Sequence, residues 1–161
     1  MTNNSPPQRP ESLGRYVNFA SAATNALCNS LLSEHGLTLQ QWVVLSALWQ
    51  NKELSVSEVA DYTGNAGPAT SRILDRMFEK GLVGRRQDTL DRRSSKVFLE
   101  PKGEALRPLQ GFFEKVNDIL SQGMTKAEIQ SLYTLLERVS DNAHQFEHRS
   151  KADRTAGNQP E

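Results

Sequence analysis

The chain has 161 residues, 19 basic and 19 acidic side chains, 37% hydrophobic residues and a single cysteine, Cys28. That is enough apolar material for one domain with extensions; it excludes an intramolecular disulfide, and no run of about 18 apolar residues is present to cross a membrane. The opening "MTNNSPPQRPES" has no apolar stretch of the kind a secretory signal needs, so a soluble cytoplasmic protein is expected.

Residues 1–12 and 149–161 are rich in Pro, Asn, Ser and charge, a composition that predicts disordered tails. Between them, Leu13, Tyr16, Val17, Ala20, Ala23, Leu27 and Leu31 recur at three- and four-residue steps, the apolar face of a first helix that ends near Gly36. Thr38 and Gln41 form a capping box that opens a second helix carrying Trp42, Val43, Leu45 and Leu48. Ser55 and Glu58 repeat the device for a short third helix, and Gly64 to Gly67 punctuates it. Pro68 suits the first position of a fourth helix, which runs to Lys80 and stops at Gly81. "VGRRQ" (83–87) and "SKVFL" (95–99) are short and partly alternating, with a polar turn between them, and predict a two-stranded antiparallel hairpin. Pro101 restarts a helix that Pro108 interrupts. Thr125 and Glu128 open the last one, whose apolar residues run from Ile129 to Phe146. The order is that of a winged helix-turn-helix, mainly α with a small β-hairpin, with long helices added before and after it.

Charge is segregated in this chain. Between Pro68 and Lys102 there are nine cations and five anions, so this stretch carries +4 and the remainder −4. On a helical wheel, Ile73, Leu74, Met77 and Phe78 share one side of helix 68–80, with Thr70 among them. Arg72, Asp75, Arg76 and Glu79 share the other, flanked by Ala69 and Ser71. Small residues at the start of that face allow the backbone close to a groove, and Arg72 behind them is suited to a guanine edge or a phosphate. Arg92 and Arg93 lie at the hairpin tip beside Asp88 and Asp91. An arginine there is suited to the negative potential of a narrow minor groove, and an aspartate to bracing it. An ordinary solvated helix and loop remain the alternative on these segments alone.

Taken together, "GPATSRILDRMFEKGLVGRRQDTLDRRSSKVFLEPKG", with "LTLQQWVVLSAL" and "SVSEVADYTG" before it, resembles the core of the MarR family of bacterial transcriptional regulators. Ser71–Arg72, "LDRMFEKGLV", Asp91 and Arg93 as a D-x-R motif, and "VFLEPKG" match in register, over roughly residues 13–146. The resemblance implies a homodimeric DNA-binding regulator and a repressor. It implies dimerisation helices over 13–36 and 101–148, around a DNA-binding lobe over 37–100. Its partners would be double-stranded DNA at a pseudo-palindromic operator, a second copy of the chain and a small aromatic effector, with no cofactor and no membrane. The implied DNA-contacting set is Asn65, Ala69, Ser71, Arg72, Arg76, Arg85, Arg92, Arg93, Ser95 and Lys96, with Asp91 bracing the wing. Tyr16, Phe19, Trp42 and Trp49 are the candidate walls of an effector pocket, although aromatic residues at helical spacing are usually core. Two positions depart from the family pattern: Glu100 stands where Thr is usual, and Thr70 where an apolar residue is usual.

Other constellations carry less. Cys28 has no neighbouring cation in sequence to lower its pKa and reads as a structural thiol. His144 and His148, at i and i+4, have metal-ligand spacing without a third strong ligand. His35 beside Gly36 reads as a helix-terminal partner. No Gly-rich phosphate loop or nucleophile with an evident base is present, so the chain does not read as an enzyme.

Overall fold

The computed structural model describes residues 11–87 and 95–156. It contains α1 (Leu13–Ser33), α2 (Leu39–Gln50), β1 (Glu53–Ser55), α3 (Val56–Thr63), α4 (Gly67–Glu79), β2 (Val83–Gln87), β3 (Ser95–Leu99), α5 (Pro101–Glu104), a 3-10 turn (Arg107–Gly111), α6 (Phe112–Leu120) and α7 (Lys126–Ala156). The fold is mostly helical, with one small antiparallel sheet, as the sequence implies. The chain divides into two compact units, residues 1–116 and 117–161. α1 thus belongs to the same unit as the helix-turn-helix lobe.

Local chemistry sets the helix ends. All three expected capping boxes form: Thr38 with Gln41 (3.2 and 3.3 Å), Ser55 with Glu58, and Thr125 with Glu128. Each satisfies two backbone donors that a bare helix start leaves unpaired. α1 and α4 end alike. Gly36 and Gly81 take left-handed backbone angles (φ +66° and +67°), and the residues after them, Leu37 and Leu82, donate back to Leu32 and Met77 carbonyls at 3.2 and 3.0 Å. In both cases the two residues so joined are buried, which seals the turn with an apolar contact.

The core of the first unit is built around α2. Eight of its twelve residues are buried, so it is enclosed on nearly every side rather than presenting one apolar stripe. Trp42 and Trp49 meet edge-on at 6.5 Å, and Phe112 and Phe113 close on Trp42 at 5.1 and 4.5 Å. Both indole N–H groups find carbonyls in the segment after the wing: Trp42 donates to Leu109 (2.9 Å) and Trp49 to Gly103 (3.3 Å). Arg107 returns the contact, donating to the Trp49 carbonyl at 3.1 Å. Buried indoles retain such partners because an unpaired N–H would be costly.

Three features differ from expectation. The hairpin has a third strand: β1 pairs with β3, in the order β1-β3-β2, with Leu54 opposite Val97 and Val83 opposite Leu99. Three residues are too few to show a period of two, and the Ser55 cap overlaps them. Helix 101–120 is broken as expected, but into α5, a 3-10 turn and α6, because Pro108 has no N–H and its ring excludes the carbonyl four residues back. The last helix runs on to Ala156, so residues 149–156 are helical where a tail was expected. That stretch is polar, but neither Gly nor Pro falls in it before Gly157.

Gly103 has no room for a side chain: an added Cβ would sit 2.1 Å from the Leu82 carbonyl oxygen, a backbone atom that cannot swing aside. Gly103→Ala is expected to lower unfolding free energy by about 1–3 kcal/mol, measured by urea denaturation, without changing the slope m. Glu58 supplies a second check. Hydrogen bonds from the Ser55 backbone and hydroxyl, and then from Lys96, hold its carboxyl down at about 2 against an ordinary 4.5. A depressed folded-state pKa stabilises fully above the unfolded value and is lost as pH falls. Glu58→Gln is therefore expected to lower stability at neutral pH and to flatten the stability profile between pH 4.5 and 2, followed by thermal melts.

Candidate nucleic-acid interface

α4 lies on the core through Thr70, Leu74 and Met77, which are buried, with Ile73 and Phe78 half-buried beside them. This leaves Ala69, Ser71, Arg72, Asp75, Arg76 and Glu79 on the solvent face, the division the helical wheel predicts. Thr70, which departs from the apolar pattern, is fully buried, and its hydroxyl donates to the Ala66 carbonyl at 3.3 Å. Ala66 gives the helix no side-chain cap, so the start of α4 presents small side chains and backbone. Asn65 sits just before it and donates to Gln40 at 2.8 Å, which ties the turn to the start of α2. Gln40 carries no motif that singles it out in the sequence; only the fold brings it to Asn65.

Among the described residues, the two wing strands separate their cations by face. Directly opposed residues of antiparallel strands project to the same side. Val83, Arg85 and Gln87 on β2 therefore share a face with Ser95, Val97 and Leu99 on β3. Val83 and Val97 on that face are buried in the same core cluster as Leu74 and Met77 of α4. Arg85, further out on this side, is exposed and donates to the Ser95 hydroxyl at 2.8 Å. Arg86, Lys96 and Phe98 project from the other face. There Arg86 pairs with Glu53 and lies 5.9 Å from the Phe98 ring centre, while Lys96 pairs with Glu58 at 3.2 Å. Arg85 and Ser95 are thus brought to the side of α4, and Lys96, grouped with them by sequence, is not. The pairing with β1 and α3 that engages Lys96 is invisible without the third strand. Asp91, Arg92 and Arg93 lie outside the described residues.

Glu100 also finds a place. It makes no cap bond on α5, as its departure from Thr implies. Its Oε1 and the edge of Phe98 instead fill the space over Gly84, each 2.4 Å from where a Cβ would lie.

Burial divides the four aromatic residues expected to wall an effector pocket. Trp42 and Trp49 are sealed in the core with their N–H groups satisfied, whereas Tyr16 and Phe19 are more than half exposed on α1, beside Arg15. Large apolar side chains gain most by burial, and α2 is the helix the fold encloses. Two open grooves among the described residues are lined by other side chains. One lies at the end of α1 between His35, Leu109, Phe112 and Lys115; another lies on the outer face of the sheet between Lys52, Phe98 and Arg107. Cys28 is buried, and burial pushes its thiol pKa up. His144 is exposed on α7; the side chain of His148 lies outside the described residues. Among the described residues no three His, Cys, Asp or Glu side chains gather as a metal site, and no helix is long and apolar enough to cross a membrane.

Comparison with known proteins bears on this arrangement. The MarR family model matches residues 37–95, the stretch from the end of the α1 turn to the start of β3. The HTH-type transcriptional regulator TtmR of Methylorubrum extorquens (strain PA1) is 32% identical over 139 residues, covering 84% of this chain and 71% of TtmR. Among solved structures, a cysteine-to-serine mutant of MarR from E. coli complexed with operator DNA superposes with a TM-score of 0.73 at 26% identity, over 79% of this chain and 92% of that one. BpsR of Bordetella bronchiseptica, whose DNA binding is regulated by 6-hydroxynicotinic acid, superposes with a TM-score of 0.72 at 27% identity, over 81% and 99% of the two chains. With its winged helix-turn-helix and this similarity along most of its length, the chain belongs to the MarR family of transcriptional regulators.

Proposed function

We propose that the protein is a cytoplasmic repressor that binds a pseudo-palindromic operator as a homodimer and is released by a small aromatic effector. The exposed face of α4 carries this reading. Ala69 and Ser71 lead, Arg72 and Arg76 follow, and Arg85 stands on the same side of the sheet. Such a face fits a major groove: small side chains admit the backbone, and arginine then reaches bases and phosphates. Asn65 braces the approach through Gln40, and the minor-groove contact is assigned to Arg92 and Arg93, with Asp91 as brace.

Pairing is supported by uncovered apolar surface. Leu13, Tyr16 and Phe19 on α1 are each more than half exposed, and Leu132, Tyr133, Leu135, Leu136 and Phe146 are exposed along α7. Surface of that extent in one chain favours burial against a second copy, which also sets two recognition helices on a two-fold axis. The operator complex of MarR and the regulation of BpsR by 6-hydroxynicotinic acid support the DNA and effector parts of the reading. The effector acts by binding better to one separation of the recognition helices than to the other.

Titration of operator duplexes at several salt concentrations tests the residue assignments. Arg72→Ala is expected to weaken binding by about 1–3 kcal/mol and to relax base preference; an equal loss on every sequence would make Arg72 a phosphate contact only. Arg93→Ala is expected to weaken binding and lower the salt slope by about one, whereas Lys96→Ala, on the far face, leaves the slope unchanged. Unchanged affinity of Arg93→Ala at every salt concentration would overturn the wing assignment.

A further inference from the structure

The C-terminal end of α4 is fastened at two points by lysines that the DNA reading does not use. Lys80, the last residue before the Gly81 turn, reaches back across the fold. Its ammonium donates to the Gly36 carbonyl at 2.7 Å and to Gln41 Oε1 at 3.1 Å. Gly36 closes α1, and Gln41 is the buried partner in the capping box that opens α2. The same Gln41 oxygen also accepts from the Thr38 backbone at 3.2 Å. The residue that caps α4 is therefore joined to the corner where α1 becomes α2. α1 has no basic residue in its last turn, so Lys80 brings from another helix the cation that the negative end of α1 lacks. The second fastening runs to the other side: Lys102 Nζ, on α5, donates to the Lys80 carbonyl at 3.0 Å and so pairs a carbonyl that the end of α4 leaves free.

The groove-facing residues begin at Ala69, eleven positions before Lys80, or about 16 Å along the helix axis. Lys80 and Lys102 thus sit at the end of α4 remote from its small residues. What they touch is α1 and α5, which on the proposed reading are the elements through which the lobe joins its dimer arms. We propose that Lys80 and Lys102 are positioning residues that set the orientation of the recognition helix against those arms, and so determine which half-site spacing the dimer accepts. This rests on the homodimeric DNA-binding reading above. A helix held at its far end on two sides cannot pivot on its core contact. A dimer of such lobes meets a misplaced half-site with a rigid frame. With the fastenings cut, each α4 can swing to follow a displaced half-site at less cost, and discrimination falls while the contacts within one half-site stay.

The test uses the full-length chain and a duplex that it selects from a random-sequence pool. Single half-site duplexes and versions with one or two base pairs inserted between half-sites are then titrated. Each inserted pair moves a half-site by about 3.4 Å and turns it by about 35°. The wild type is expected to discriminate sharply against the insertions. Lys80→Met and, independently, Lys102→Met are expected to lose about fivefold or more of that discrimination, the size of a modest coupling between sites. Half-site affinity and salt slope should stay unchanged, and Lys80→Arg, whose guanidinium can donate to both acceptors, should restore the discrimination. Discrimination equal to wild type in both Met variants overturns the proposal. So does a parallel drop in half-site affinity and salt slope, which would make the lysines phosphate contacts. Failure of the wild type to select any two-fold-symmetric duplex would overturn the DNA-binding reading itself, which separates the two failures.

Discussion

Burial of α2 is the constraint on which the rest of the first unit depends. A helix enclosed on nearly every side has to place its polar atoms with care, and its two tryptophans do so by donating to Leu109 and Gly103. Those bonds draw the chain back over α2 as it leaves the wing. Gly103 can then lie against the Leu82 carbonyl, which in turn accepts the Glu100 N–H at 3.1 Å. The end of α4, the first residues of β2 and the end of β3 are thereby held at one place. The solvent face of α4 is defined because its other face is committed to that core through Leu74 and Met77.

The same packing explains why charge in a neutral chain becomes directional. Arg85 and Arg86 are neighbours on β2, and the pleat sends them to opposite faces. Arg85 shares the side of the sheet that carries the core and α4; Arg86 and Lys96 are turned away and met by Glu53 and Glu58. Acidic residues of β1 and α3 thus neutralise the cations on the face turned away from α4. Exposed pairs of this kind add little to stability; what they change is the local charge on that face.

Much of this was legible in the sequence because it rests on short-range chemistry. The three capping boxes, the break at Pro108, the two hairpin strands and the wheel of α4 each follow from residues within a few positions of one another, and the structure has them all. What was not legible depends on partners far apart in the chain. β1 is too short for a period to show and exists because β3 offers it an edge. The orientation of Lys96 follows from that pairing. Trp42 and Trp49 suit a pocket wall as well as a core when only spacing is known, and the fold decides for core by enclosing α2. Lys80 looks like any lysine before a glycine until Gly36 and Gln41 arrive beside it. Glu100, out of pattern as a cap, makes sense once Gly84 is seen to leave a space for it.

The central claim is that two copies of the α4 face engage one operator. Hydroxyl-radical footprinting of the full-length chain on a duplex it has selected tests this most directly. The expected result is two protected blocks related by two-fold symmetry, centred one helical turn (about 10 base pairs) or a multiple of it apart. A single unsymmetric block, or no protection on any fragment at low salt, would contradict it.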